Sequence, residues 1–117
     1  MKLDVISDNK IFRRIYGKGK SFVSPFLVSY FLPSNSGKIR YGITASKKVG
    51  GAVSRNRARR IIKEAFRLLA EEYSLAGSGT GCDVIFVARA KTAQIKMPVL
   101  KRALYKHLSE ANIIKRP

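Results

Sequence analysis

The chain has 117 residues, 45% of them hydrophobic, enough for one domain with a real core. Lys and Arg number 24 against 7 Asp and Glu, a net charge of +17, which is far beyond the ~2–8 that solubility asks of a small domain and calls for a polyanionic partner, nucleic acid above all. No apolar run approaches the ~20 residues of a membrane-spanning helix, Met1 to Lys10 has no signal-peptide core, and Cys82 is the only cysteine, so no membrane, no disulfide and a cytoplasmic setting are expected.

In chain order, Ser7-Asp8-Asn9 offers helix N-caps. Ile11, Phe12, Ile15 and Tyr16 then recur at helical spacing, and Gly17 and Gly19 close the segment. Phe22 to Leu32 reads as extended, split by Pro25 into a short strand and a longer one. Pro33 to Gly37 is a turn. Ile39, Tyr41, Ile43 and Ala45 alternate with Arg40, Gly42, Thr44 and Ser46, the pattern of a half-buried strand. After Gly50-Gly51 the longest helix runs from about Ala52 to Tyr73, and Ala76 to Gly81 reads as a flexible loop. Asp83 to Ala88 is a continuous apolar strand buried on both faces, with Cys82 a small core residue at its start. Pro98 suits the first turn of a last helix whose inner stripe is Leu100, Ala103, Leu104, His107 and Leu108. The order αβββαβα predicts an α+β sandwich, one domain over residues 1–117, with helices packed on a small mixed four-stranded sheet.

The long helix is the most informative segment. At about 100° per residue, Ala58, Ile61, Ile62, Ala65, Phe66 and Leu69 share one face, which must pack on the sheet. Asn56, Arg60, Lys63 and Arg67 lie opposite, flanked by Arg55 and Arg59 on one side and Arg57 on the other. A solvated face usually mixes signs in pairs one turn apart, yet Glu64 is the only acid between Lys47 and Leu69. Arginine suits a phosphate-binding stripe because its planar fork pairs with phosphate bidentately and stacks on bases. Lys47-Lys48 ahead of Gly50-Gly51 adds a plausible backbone contact for an anion, although the Lys-Ser/Thr closure of a P-loop is missing.

Phe12 and Tyr16 share a helix face, and Tyr30 is in phase with Phe26, Val28 and Leu32 on the long strand. Aromatic rings beside a cationic groove serve single-stranded nucleic acid, with bases stacked and phosphates paired; the residue types allow equally that these rings are core. No catalytic constellation is visible. Of the acids only Glu71 and Glu72 are close in sequence, and adjacent helical residues do not share a face; His107 is the sole histidine. Neither a metal-dependent nuclease nor an acid–base one is indicated, so no catalytic and no metal-binding residue is assigned.

Ser46-Lys47-Lys48-Val49-Gly50, Ala52-Val53, Arg55-Asn56-Arg57, Arg59-Arg60 and Ala65-Phe66 together resemble the bacterial ribonuclease P protein component. Its hallmark is an Arg-Asn-Arg helix introduced by a Lys-Lys-x-Gly loop. The Phe12-to-Gly19 segment, the Tyr30 strand, Arg40-x-Gly42 and Asp83 to Arg89 extend the likeness over nearly the whole chain. The resemblance implies the αβββαβα fold with a left-handed connection through the Arg-Asn-Arg helix, against the strong right-handed prior. It implies a subunit of an endoribonuclease whose catalytic centre, with its magnesium, lies in an RNA. The implied partners are that RNA and precursor tRNA, with no obligate protein partner and no cofactor bound by the protein. The implied RNA contacts are Arg55, Asn56, Arg57, Arg59, Arg60 and Lys63, beside Lys47, Lys48 and Arg67 from the charge pattern. Phe12, Tyr16 and Tyr30 would line a cleft for the 5′ leader; Tyr16 stands where the family often has Phe, which keeps the stacking ring.

Overall fold

The computed structural model describes residues 3–75, 79 and 81–114. Most of the loop expected over Ala76 to Gly81 lies outside these. The described elements are β1 (Asp4–Val5), α1 (Asn9–Lys18), β2 (Lys20–Val23), β3 (Leu27–Pro33), β4 (Ile39–Thr44), α2 (Ala52–Glu72), β5 (Cys82–Ala88) and α3 (Met97–Glu110). Two 3₁₀ turns, Lys47–Val49 and Ala90–Gln94, precede α2 and α3.

Local chemistry accounts for the boundaries. Asp8 caps α1, its carboxylate accepting from the Lys10 amide at 2.8 Å. Ser24 closes the β2–β3 turn, its Oγ accepting from the Phe26 and Leu27 amides at 3.2 Å each, with Pro25 between the strands where no ladder bond is needed. Ser46 caps the first 3₁₀ turn, and Gly50, at φ +139°, takes a backbone conformation that side chains resist, turning the chain into α2. Pro98 sits in the first turn of α3.

The sheet order is β1-β4-β5-β3-β2. β1, β4 and β5 run parallel, while β3 is antiparallel to β5 and to β2. The α+β class and the helix–sheet layering stand, but the sheet has five strands where four are expected. The addition is β1, a two-residue strand whose pairing to Arg40 and Tyr41 leaves no periodicity to read. The parallel neighbours β4 and β5 are joined through α2, the connection for which the resemblance implies a left hand.

Strand alternation divides the core. On one face Leu27, Phe31, Ile39, Tyr41, Val84 and Phe86 meet the apolar stripes of α2 and α3. The predicted α2 stripe is buried at every position, and the Phe66 ring centroid lies 5.2 Å from that of Tyr41 and 5.0 Å from that of Phe86. Each such side chain contributes roughly 1.5–3 kcal/mol by leaving water. On the other face Ile85 packs with Ile6 and with Ile15 of α1. Cys82 is buried in the main core, where desolvation pushes its thiol up to about 11; this is an inert packing residue.

His107 lies on the inner stripe of α3, its Nδ1 2.8 Å from the Oγ of buried Ser29. Burial holds its pKa below the ordinary 6.5, with nearby Lys106 acting in the same sense and Glu110 against it. The unfolded chain therefore takes up this proton at higher pH than the folded one. Stability is untouched above about pH 6.5 and falls as pH drops below it, by at most about 1.4 kcal/mol per pH unit for one proton, levelling off below the folded-state value. Urea midpoints of wild type and His107→Gln at about pH 7.5 and about pH 5.5 check this: the wild type should lose more stability on acidification than the variant.

Candidate nucleic-acid interface

Two cationic concavities flank the sheet. The first lies where α2 crosses the β1–β4 edge. Asn56, Arg59, Arg60 and Lys63 line a groove of about 480 Å³ whose floor includes Val5, Tyr41 and Ile43. Helical spacing places the four polar side chains along one ridge, because the opposite face of α2 is taken by the core. All four are exposed. Arg59 also donates from Nη2 to the Ala45 carbonyl at 3.5 Å, which leans it toward the sheet.

Three other predicted α2 residues are placed differently. Arg57 donates from Nε to the Ala93 carbonyl at 2.8 Å and from Nη2 to the Ile95 carbonyl at 3.3 Å. It ties the segment ahead of α3 to α2, and part of its donor set is spent. Arg67 is clasped between Glu64 and Glu71, with Nη1 2.7 Å from Glu71 Oε1 and a bidentate bond to Glu64. The carboxylates raise its pKa further and hold Glu64 below the usual carboxylate range. Arg67 is thus a neutralised cation at the far end of the stripe. Arg55 is half-buried, on the turn above.

The second concavity is on the opposite face of the sheet, where α1 covers only part of the surface. Register defines its floor. Tyr30 of β3 pairs with Ile85, which pairs with Gly42; this row lies beneath α1. The next row, Val23, Val28, Val87 and Thr44, crosses four strands and is open, with Val23 65% exposed. The three predicted aromatics meet at the boundary. The Phe12 and Tyr16 rings stack with centroids 6.5 Å apart, and Tyr16 meets Tyr30 edge-on at 4.9 Å. The Tyr16 hydroxyl lies 3.4 Å from Thr44 Oγ1. Tyr16 is the most open of the three, whereas Phe12 packs with the α1-side core.

Beyond the open valines the concavity continues as a groove of about 1030 Å³ with Lys48, Arg89 and Lys91 among its lining residues. Sequence reasoning found Lys48 but missed Arg89 and Lys91. The signal available was a basic pair directly after the apolar strand, uninformative until register put it beside Val28 and Val87. Arg89 is steadied by an Nη1 bond to the Ser24 carbonyl at 3.0 Å. Lys47 and Lys48 stand exposed on the 3₁₀ turn, ahead of an α2 N-terminus whose cap, Gly51, supplies no side-chain acceptor. The positive end of the helix dipole thus adds to this rim.

Gly42 seats the Phe12 ring: a Cβ there would lie 2.6 Å from Phe12 Cε1. Gly42→Ala should therefore displace Phe12 at a cost of about 1–3 kcal/mol, the range for overpacking a filled site. A thermal melt checks this, and Phe12→Leu in the same background should recover part of the loss.

An exposed cationic helix ridge and an aromatic-edged cationic cleft on one small basic domain are the surfaces expected of a nucleic-acid-binding protein. The chain belongs to the ribonuclease P protein family, whose model, Ribonuclease P, matches residues 1–112. It is 39% identical over 111 residues to the ribonuclease P protein component of Pelotomaculum thermopropionicum, covering 95% of each chain. To the component of Clostridioides difficile it is 41% identical over 107 residues, covering 90% of this chain and 83% of the relative. The solved structure of the Staphylococcus aureus RNase P protein superposes with a TM-score of 0.80 at 30% identity, covering 97% of this chain and all of that one. This chain is accordingly a protein subunit of the ribonuclease P holoenzyme, an RNA-binding protein of tRNA 5′-end processing.

Proposed function

We propose that the chain, acting as one domain over residues 1–117 in the cytoplasm, grips the ribonuclease P RNA through the α2 ridge and holds the single-stranded 5′ leader of precursor tRNA in the cleft beside α1. The observation that carries this is the pairing of two unlike surfaces on opposite sides of one sheet. Asn56, Arg59, Arg60 and Lys63 form a ridge for phosphates, with Arg55 and the remaining donors of Arg57 at its upper end and paired Arg67 at its lower. Tyr16 and Tyr30, with Phe12 behind them, edge an apolar floor with Lys48, Arg89 and Lys91 lining the groove and Lys47 exposed on the adjoining turn. Stacking rings and spaced cations are what an unpaired strand needs.

The role is positional. Leader and RNA are held together, and phosphate repulsion between them is screened. Magnesium and bond cleavage are assigned to the RNA. Four of the seven acids are paired with cations of this chain, Asp83 with Arg40, Glu64 and Glu71 with Arg67, and Glu72 with Lys101, and Asp8 caps α1. Among the described residues no three His, Cys, Asp or Glu side chains are grouped to hold a metal ion, and no helix is long and apolar enough to cross a membrane.

Arg60 tests the ridge. Arg60→Ala should weaken binding to the catalytic RNA and flatten the plot of log affinity against log salt by about one unit, the signature of one lost phosphate contact. An unchanged slope would show that Arg60 is solvated in the complex.

A further inference from the structure

The outer face of α1 is a second cationic ridge that neither concavity uses. At about 100° per residue Lys10, Arg13, Arg14 and Gly17 fall in one arc opposite Ile15, which is fully buried, and Lys18 lies at the edge of that arc. All five are exposed, and α1 itself contains no acid. Asp8, the nearest carboxylate in sequence, is engaged in capping the Lys10 amide. Among the described residues the four cationic side chains make no ion pair or hydrogen bond, in contrast to Arg40, Arg57 and Arg67. Because α1 and α2 cover opposite faces of the sheet, the two ridges point in opposite directions.

Gly17 sits within this arc. A glycine inside a helix is less favourable than alanine by about 0.5–1 kcal/mol, and here nothing in the folded chain repays that, for a Cβ at position 17 would meet no atom within 4 Å. A flat spot among cations serves a ligand whose backbone must come close to the helix. We propose that the outer face of α1 binds an RNA phosphodiester backbone, which approaches at Gly17 and is flanked by Arg13 and Arg14, with Lys10 about two turns before Gly17 and Lys18 at the edge of the arc. The protein is thereby clamped between two RNA segments on opposite sides of its sheet. This rests on the RNA-binding reading above and adds to it a contact surface outside both ridge and cleft.

The test uses the full chain with Lys10, Arg13, Arg14 and Lys18 all changed to Gln, and separately Gly17→Gln. Two salt titrations are read: binding to the ribonuclease P RNA alone, and binding of precursor tRNA to the assembled RNA–protein complex. Each engaged phosphate carries about 0.7–0.9 units of slope, so the fourfold variant should lose about two units or more in one titration, which also identifies the RNA that docks. Gly17→Gln should raise the melting temperature of the free protein by about 2–5 °C through helix propensity and yet weaken binding in the same titration by about tenfold. Unchanged slopes for the fourfold variant, while Arg60→Ala still flattens its own, would overturn the proposal and leave the ridge on α2 standing. Unchanged slopes for both the fourfold variant and Arg60→Ala would overturn the α2-ridge reading as well. A Gly17→Gln protein that binds both RNAs as tightly as wild type would overturn the close approach at Gly17.

Discussion

Tyr30→Ala should weaken binding of a precursor tRNA that carries a leader by about 1–3 kcal/mol, the scale of one base–aromatic stack, and leave binding of mature tRNA unchanged. Tyr30 stands on β3 with Ile85 as its cross-strand partner and the Tyr16 ring 4.9 Å away, edge-on. Its ring therefore supports Tyr16 as well as edging the open floor of Val28 and Val87. Removing it takes away one stacking surface and loosens a second, which puts the loss toward the upper end of that range. Tyr30→Phe keeps the ring and should bind almost as wild type. Equilibrium binding of leader-bearing and mature tRNA to the holoenzyme checks both expectations. Equal losses on the two substrates would place the defect in folding and not in the cleft.

The largest expected stability effect lies elsewhere, at Arg40. Its Nε and Nη2 bind Asp83 at 2.8 and 2.7 Å in a fork-to-fork pair, and Asp83 is buried on β5. The paired carboxylate raises the Arg40 pKa, and Asp4, its register partner on β1, adds to this. Arg40→Leu would leave the Asp83 carboxylate in the sheet without its counter-ion. Breaking a fully buried pair costs about 3–5 kcal/mol. The side chain of Arg40 is 35% exposed, so water can reach the vacated position and about 2–3 kcal/mol is expected. Set against a total stability of about 5–15 kcal/mol, that is a large fraction, visible as a drop of roughly 6–15 °C in melting temperature. Arg40→Leu combined with Asp83→Asn should recover part of the loss, because no charge then remains buried. A single variant that melts like wild type would mean the pair contributes nothing net.

Different residues were legible in the sequence for different physical reasons. The inner stripe of α2 could be read because an amphipathic helix repeats about every 3.6 residues and its burial follows from that repeat alone. The β5 run was legible because a strand covered on both faces has no polar positions to break it. β1 was not, since two residues carry no period and their pairing to β4 joins segments 36 positions apart. Arg57 shows a related gap. Its partners, the carbonyls of Ala93 and Ile95, are 36 and 38 residues downstream, so nothing local separates it from Arg59 or Arg60. Arg67 was different again. Its acids lie three residues before and four after, within helical reach, and the clasp follows from spacing once Glu71, just beyond the cationic stretch, is weighed with Glu64. The cleft needed both kinds of information. Helical spacing paired Phe12 with Tyr16, but only strand register could set them against Tyr30 and bring Arg89 and Lys91 to the same floor as Lys48.

The central claim is that this chain assists a catalytic RNA and does not itself cut. The most direct measurement is leader release from precursor tRNA at low magnesium and physiological ionic strength, with the ribonuclease P RNA alone, with this protein alone, and with both. Mature 5′ ends are expected only where both are present. Cleavage by the protein after all RNA has been removed, or no stimulation of the RNA by the protein, would contradict it.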